Sequence, residues 1–176
     1  MRTIFKPQSG EYPEYAEIYM SLVPDDGRIL EHLKENFRRV KEFIYGMPPE
    51  KLFYRYAADK WSIKEILVHI VDDERIYAYR ALRFARNEQQ NLIGFDQDEY
   101  AKYSQADARD LDNIFVEYEA VRNSTIALFN GLPEDSLTRM GHGTATANDA
   151  TVRALAYHIA GHELRHMNII RERYLK

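Results

Sequence analysis

Two histidines near the C-terminal end of the sequence are spaced for metal chemistry. Within residues 151–170, core-type positions recur at alternating steps of three and four residues: Val152, Leu155, Ile159, His162, His166 and Ile169. This spacing predicts one helix face that packs into a core. Residues four apart lie on the same side of a helix, so His162 and His166 can direct both imidazole rings at one point. Together they would supply two of the four ligands of a tetrahedral metal site.

A competing interpretation treats these histidines as ordinary core residues. A single histidine on an apolar face is more often buried with local partners for its ring nitrogens than bound to a metal. Here two histidines occupy the face, and His158 lies one turn earlier beside it. Burying imidazoles costs the hydration of their nitrogens unless each is paired, and a metal would satisfy one nitrogen of each ring. This helix leaves both interpretations open, and a third ligand would favour the metal.

A third histidine follows a helix start in the middle of the chain. Ser62-Ile-Lys-Glu65 matches a capping box, in which the serine oxygen accepts from the Glu65 amide and the Glu65 carboxylate accepts from the Ser62 amide. His69 lies two turns into the predicted helix, on the flank of its apolar stripe. Asp72 and Asp73 come one turn later, so His69 is either a half-exposed residue paired with an acid or the third ligand.

Four long amphipathic helices would position these residues. They are predicted at residues 25–45, 62–86, 107–130 and 149–176, with a further helical turn around 96–103. The sequence has no alternating strand pattern, so we predict an all-α fold, a four-helix bundle that forms a single domain over residues 1–176. Residues 1–24 are predicted to be an irregular arm rich in Tyr and Pro. Such an arm packs across the body or across a partner subunit, and a homodimer is compatible with it.

Composition limits the classes of function. The 176 residues suffice for one hydrophobic core, and 45% apolar with 30% charged residues is typical of a soluble globular protein. The formal charge of −4 argues against binding to nucleic acid or an anionic membrane surface, since both attract a basic face. Residues 1–23 do not resemble a signal peptide, and no apolar run is long enough for a membrane span. We therefore expect a cytoplasmic protein with a small-molecule substrate, no nucleic-acid partner and no membrane association.

The absence of cysteine narrows the chemistry further, because it excludes thiolate ligands and a cysteine nucleophile. If the second and fourth helices are neighbours, His69, His162 and His166 can form a set of three imidazoles at one end of the core. Three neutral nitrogen ligands leave a coordination position for water or substrate, as at catalytic zinc sites. Zinc, nickel, cobalt and copper all accept such ligands, so ligand type does not choose among them.

The order of these motifs resembles a known family. Trp61-Ser62-Ile-Lys-Glu65-Ile-Leu-Val-His69, followed in the last helix by His162-x-x-x-His166, is similar to the DinB-like superfamily, which includes YfiT-like metal-dependent hydrolases. The resemblance covers the chain from the second helix onwards. It implies a four-helix bundle with a divalent metal, commonly nickel or zinc, on His69, His162 and His166. Some relatives are S-transferases or isomerases that use a low-molecular-weight thiol, and many others have no assigned reaction.

Two other metal-binding motifs include the same residues of the last helix. His162-Glu163-Leu-Arg-His166 is an H-E-x-x-H sequence, in which the glutamate of a metalloprotease is the general base. Such a site finds its third ligand downstream, where only residues 167–176 remain. A carboxylate-bridged di-iron site needs two Glu-x-x-His pairs, and only Glu163 to His166 has that spacing. Glu163 lies about 100° around the helix from His162, so we expect it to face solvent.

These observations predict a divalent-metal-binding, DinB-like protein that acts as a metal-dependent enzyme of the thiol S-transferase or hydrolase type. The metal would lower the pKa of an exogenous thiol or a water, since the chain has no thiol of its own. Asp72 or Asp73 would accept the second ring N–H of His69, with a role as a surface acid as the alternative for either. His158 is a candidate catalytic proton carrier, with a structural role as the alternative. The competing function is a non-catalytic helical bundle that binds a metal or a small ligand.

Overall fold

The computed structural model describes residues 1–143 and 149–175. Within them, six α-helices form the fold: α1 (Glu17–Met20), α2 (Ile29–Tyr45), α3 (Ile63–Ala85), α4 (Gln97–Tyr103), α5 (Leu111–Gly131) and α6 (Val152–Ile169). The last helix continues as a π-helical segment (Ile170–Tyr174). A two-stranded antiparallel sheet joins β1 (Met140–Gly141) to β2 (Ala150–Thr151), with Met140 opposite Thr151. The four long helices, α2, α3, α5 and α6, confirm the predicted all-α four-helix bundle.

Local capping explains why α3 and α6 begin where they do. Ser62 Oγ accepts from the Glu65 amide at 3.1 Å, and Glu65 Oε2 accepts from the Ser62 amide at 2.8 Å, which confirms the predicted capping box. The Thr151 hydroxyl caps α6 by accepting from the Ala154 amide at 3.3 Å. These two helices carry the histidines, so local sequence signals set the starting points of both.

Two predicted helix starts are earlier than the observed ones. The first helix begins at Ile29 and not at residue 25 or 26, because the Asp26 carboxylate accepts from the Arg28 amide and thereby closes a turn before the helix. The third begins at Leu111, because Asp107 accepts from the Ser62 hydroxyl at 2.6 Å and belongs to a separate 3-10 turn. In both cases the acidic side chain serves a connection and not the helix itself.

The N-terminal arm is less irregular than predicted. It contains a 3-10 turn (Glu14–Ala16) followed directly by α1, because Ala16 and Met20 bury their side chains against the body. The backbone of α1 lies directly on α6: a Cβ atom on Gly161 would be 2.3 Å from the Tyr19 carbonyl oxygen. A glycine at this position therefore allows the arm to approach α6 next to His162.

The packing of α3 against both α5 and α6 satisfies the condition set by the sequence, since the helices that carry the histidines are neighbours. Between the predicted third and fourth helices, residues 144–148 lie outside the described residues. The same is true of residue 176, the predicted end of the last helix. Among the described residues, no helix combines the length and the apolar composition needed to cross a membrane.

Candidate metal centre

Three histidines from two helices meet at one point between α3 and α6. His69 Nε2 lies 3.1 Å from His162 Nε2, and His166 Nε2 lies 3.1 Å from the same atom. One ring nitrogen from each histidine lies within 4.8 Å of the others, and these three residues are the candidate metal-binding group among the described residues. The fold therefore brings together the residues that the sequence singled out.

These distances suit a shared cation. Nitrogen ligands about 2.0–2.1 Å from a tetrahedral metal lie about 3.3 Å from one another, close to the two short separations found here. Hydrogen bonding alone fits less well, because a neutral imidazole nitrogen either donates or accepts. His162 Nε2 would have to serve two neighbours in one role. A cation at the centre would be a partner for all three nitrogens at once.

Burial keeps these imidazoles in the form that binds metals. His69 is 4% exposed and His162 is 5% exposed, whereas His166 is partly buried. Loss of hydration disfavours the charged ring, so burial lowers the pKa of His69, lowers that of His162 to about 3, and lowers that of His166 well below its ordinary value. All three rings are therefore neutral at pH 7, with a lone pair available for a ligand bond.

Asp73 supplies the carboxylate behind the histidines. Its side chain is buried, and Oδ2 lies 3.3 Å from His162 Nδ1 and 3.5 Å from His158 Nε2. Burial by itself raises the pKa of Asp73, but His162 and His158 lower it by more, so this side chain is a carboxylate. A proton on His162 Nδ1 would face this carboxylate, and Nε2 would then keep its lone pair.

The predicted pairing of Asp72 or Asp73 with His69 is therefore wrong. Asp73 lies on the face of α3 that packs on α6, so its carboxylate reaches histidines of the other helix instead of the one on its own helix. Asp72 points outwards, 3.6 Å from the guanidinium of Arg75. The sequence spacing identified the right helix segment but assigned the carboxylate to the wrong ring.

His158 lies outside the group of three but beside it. Its ring stacks on Tyr77 with centroids 3.8 Å apart and an angle of 2° between the planes, and its centroid lies 5.6 Å from that of His162. Its Nε2 faces Asp73, which thus lies between His158 and His162. This arrangement makes His158 a neighbour of the centre and not one of the three converging ligands.

Aromatic rings cover the centre. The Trp61 ring lies 4.6 Å from that of His69 and 6.4 Å from that of His166, and the Tyr19 ring lies 5.6 Å from that of His162. Trp61 was part of the motif that carries the family resemblance. Tyr19 was predicted only to belong to an arm that packs across the body or a partner subunit, and nothing in the sequence indicated its approach to the histidines.

A pocket lies between the arm, α3 and α6 on the far side of His158. It encloses about 270 Å³, including the open solvent at its mouth. Its walls are mainly apolar and aromatic and include Tyr12, Tyr15, Met20, Tyr77 and Leu155. His158 contributes one wall, so its ring lies between the pocket and the surroundings of the centre.

Glu163 does not face solvent as predicted. It is fully buried, its Oε1 accepts from the Tyr118 hydroxyl at 2.6 Å, and its Oε2 accepts from Arg122 Nη2 at 3.1 Å. Side chains of α5 thus reach the side of α6 that the sequence suggested was open. Because its carboxylate is held by α5, Glu163 is not placed to be the base of an H-E-x-x-H metalloprotease.

Comparison with known proteins agrees with this geometry. A family model described as the DinB superfamily matches residues 32–170. No curated protein matches the chain in sequence. The structure is similar to that of YfiT from Bacillus subtilis, described as "a probable metal-dependent hydrolase with an unusual four-helix bundle topology", with a TM-score of 0.75 and 15% identity. The alignment covers 96% of this chain and 90% of that one, and at this identity it establishes a common fold.

Proposed function

The chain belongs to the DinB superfamily, and from this premise we propose that it is a divalent-metal-dependent enzyme acting on a small-molecule substrate. The reaction type we propose is thiol S-transfer or hydrolysis, with zinc or nickel as the metal. A small molecule is favoured over a nucleic acid because the chain carries a formal charge of −4.

The convergence of three neutral imidazole nitrogens carries this proposal. His69, His162 and His166 would hold the metal through Nε2, since the Nε2 atoms of His69 and His166 each lie 3.1 Å from that of His162. Three protein ligands are the number at which catalytic zinc sites keep a position open for the reacting group. A metal in this site would act as a Lewis acid and lower the pKa of a thiol or a water.

The surrounding residues of the chain have distinct roles in this proposal. Asp73 holds a proton on His162 Nδ1 and so orients that ring towards the centre. Trp61 and Tyr19 limit the access of bulk water by covering His69 and His162. The nucleophile comes from solvent or from a low-molecular-weight thiol, because the chain has no cysteine.

His158 is the proposed proton carrier. Its ring is fixed by stacking on Tyr77, and a proton on its Nε2 would be stabilised by Asp73 at 3.5 Å. The substitution His158→Gln should lower turnover of an identified substrate while metal content stays unchanged. Unchanged turnover would leave this residue with a structural role only.

Metal content is the first test of the proposal. Elemental mass spectrometry of protein purified without a polyhistidine tag should find about one equivalent of metal in the wild type, the number expected of one three-ligand site. His69→Ala and His162→Ala should lose it. His32→Ala is the matched control, because His32 pairs with Asp26 on the surface of α2. Failure of the wild type to take up zinc or nickel, even after reconstitution, would refute the proposal.

The low exposure of His69 and His162 also favours a second candidate, a non-catalytic bundle that retains a metal for stability. The two functions differ in the state of the coordination sphere. A catalytic site exchanges a water and reacts with thiol or hydrolytic substrates, whereas a structural site is closed and its loss lowers the Tm sharply. A closed coordination sphere in X-ray absorption spectra, with no activity towards either substrate class, would favour the structural function.

A further inference from the structure

Arg80 is a buried cation that the proposed metal chemistry does not use. It lies on α3 and is 2% exposed. Its Nη1 and Nη2 atoms are both buried and have no hydrogen-bond partner among the residues that the structure describes. A guanidinium stays protonated at any physiological pH, so it cannot escape the cost of burial by losing its charge.

The contacts that Arg80 does make are aromatic. Its guanidinium carbon lies 4.9 Å from the centroid of the Tyr77 ring and 6.0 Å from that of the Phe95 ring. Such cation–π contacts attract a cation, but by less than the cost of removing an unpaired charge from water. Residues 144–148, outside the described part of the chain, are Thr-Ala-Thr-Ala-Asn and contribute no carboxylate. The aromatic contacts thus leave the charge of Arg80 without a counter-ion.

Arg122, by comparison, is a buried arginine whose hydrogen-bond partners are supplied by the protein itself. It is equally buried, yet it donates to Glu74 at 2.9 Å and to Glu163 at 3.1 Å. Its remaining Nη1 atom donates to the Leu33 carbonyl oxygen. Two arginines with similar burial therefore differ in whether the fold supplies an anion.

We propose that Arg80 is an anion-binding site that takes the carboxylate or phosphate group of a small molecule. A planar guanidinium with both terminal nitrogens unpaired is suited to bind such a group through two parallel hydrogen bonds. The flanking rings of Tyr77 and Phe95 exclude water from this contact and so strengthen it. Phe95 is partly exposed and belongs to the connection between α3 and α4, so displacement of its ring gives a ligand access.

The site lies next to the pocket described above. Tyr77 contacts both the Arg80 guanidinium and the His158 ring, and it lines the pocket. The inference does not depend on a metal, however, because the rings that contact the Arg80 guanidinium among the described residues, Tyr77 and Phe95, are not among the converging histidines. Binding is therefore tested on protein that has been stripped of metal with EDTA and then dialysed into EDTA-free buffer, which separates this inference from the proposed function.

The direct test follows the arginine side-chain signals in ¹⁵N NMR spectra. Metal-free wild type is titrated with acetate and, separately, with inorganic phosphate, each at ionic strength held constant with sodium chloride. We expect a saturable shift of the Arg80 signals, which the spectrum of Arg80→Met identifies. The better of the two anions indicates whether the ligand carries a carboxylate or a phosphate. Absence of a saturable shift with both anions would overturn the proposal.

The effect of the anion on the Tm of the wild type and of two variants provides a second test. The better anion should raise the Tm of the wild type, and Arg80→Met should weaken this response at least about tenfold in anion concentration. Arg83→Met is the matched control on the same helix, because Arg83 already pairs with Glu88 and Tyr79, and its response should equal that of the wild type. In chloride buffer Arg80→Met should melt no lower than the wild type. A large loss of Tm, or an unchanged anion response, would show that the fold itself satisfies Arg80.

Discussion

Two buried polar clusters lie side by side in the bundle, and they are built in opposite ways. The histidine cluster consists of His69, Asp73, His158, His162 and His166. The arginine cluster consists of Glu74, Tyr118, Arg122 and Glu163. Helix α3 contributes consecutive residues, Asp73 and Glu74, one to each cluster, and α6 does the same with His162 and Glu163. Consecutive residues point about 100° apart around a helix, so the two clusters occupy different sides of the α3–α6 interface.

The clusters differ in whether the protein supplies hydrogen-bond partners for their polar atoms. In the arginine cluster each carboxylate has a donor: Arg122 donates to Glu74 and Glu163, and Tyr118 donates to Glu163. In the histidine cluster, Asp73 Oδ2 and His158 Nε2 lie 3.5 Å apart without a regular hydrogen bond among the described residues. A closed cluster stabilises the fold, whereas an open one is suited to binding a ligand. Variants that damage one cluster should therefore affect stability, and variants that damage the other should affect binding.

Breaking the arginine cluster should have the largest effect on stability. The substitution Arg122→Met leaves Glu74 and Glu163 buried without their cation, which is expected to lower the free energy of unfolding by about 3–5 kcal/mol. Urea denaturation of the metal-free protein measures this change. Arg38→Met is the control, because its pair with Glu42 is exposed and should change stability little. If the two variants were equally stable, the arginine cluster would not be the stabilising one.

Removing the carboxylate of the histidine cluster should affect binding instead. Asp73→Asn no longer holds a proton on His162 Nδ1 as strongly, so metal affinity is expected to fall about 10- to 100-fold. Competition with a chromophoric chelator measures this change. The neighbouring substitution Asp72→Asn is the control, since Asp72 faces Arg75 at the surface, and it should bind metal as the wild type does. Equal affinity in all three proteins would contradict an orienting role for Asp73.

The histidine cluster should also make the stability of the metal-free protein depend on pH. Burial lowers the pKa of His162 to about 3 in the folded protein, whereas in an unfolded chain it is about 6.5. Between these values the unfolded chain binds more protons, so the free energy of unfolding falls as the pH falls through this window. The slope is up to about 1.4 kcal/mol per pH unit for each such histidine.

Urea denaturation at a series of pH values in EDTA tests this expectation. The variant His162→Ala should show a shallower slope than the wild type in the same window, because it lacks the titrating ring. His142→Ala is the control, since His142 is exposed and pairs with Asp149, and it should keep the wild-type slope. Identical slopes for the two variants would mean that His162 is not held neutral by burial.

The smallest effect is expected from a substitution in the arginine cluster at Glu163, the residue that follows the proposed metal ligand His162. Glu163→Gln keeps the shape of the side chain but loses its charge, which should cost about 1–2 kcal/mol in the free energy of unfolding. Metal content and any metal-dependent turnover should stay at the wild-type level, because Glu163 is bonded to Tyr118 and Arg122. Loss of turnover at full metal content would instead indicate the general base of an H-E-x-x-H site.

The sequence by itself determined the four long helices and the three candidate histidines. The Ser62 capping box and the Thr151 cap act within four residues, so their signals are complete in the local sequence. The spacing of His162 and His166 also places both on one face regardless of what that face contacts. His69, from another helix, was a third candidate only on the condition that the second and fourth helices are neighbours, and the resemblance to the DinB-like superfamily implied the same three ligands. Local periodicity could not establish this condition, because it does not specify which helices become neighbours.

Only the tertiary structure decided what lies around those histidines. Periodicity gives the angle of a residue around its own helix but not what surrounds it, so Glu163 was expected in solvent but is buried and bonded to two side chains of α5. The same limit applies to Asp73, whose partner depends on the register between α3 and α6. Tyr19 reaches the centre because Gly161 allows the arm to lie on α6. Arg80 is buried beside Phe95, and its terminal nitrogens have no hydrogen-bond partner in the described part of the chain. Each of these features depends on contacts between segments far apart in the chain.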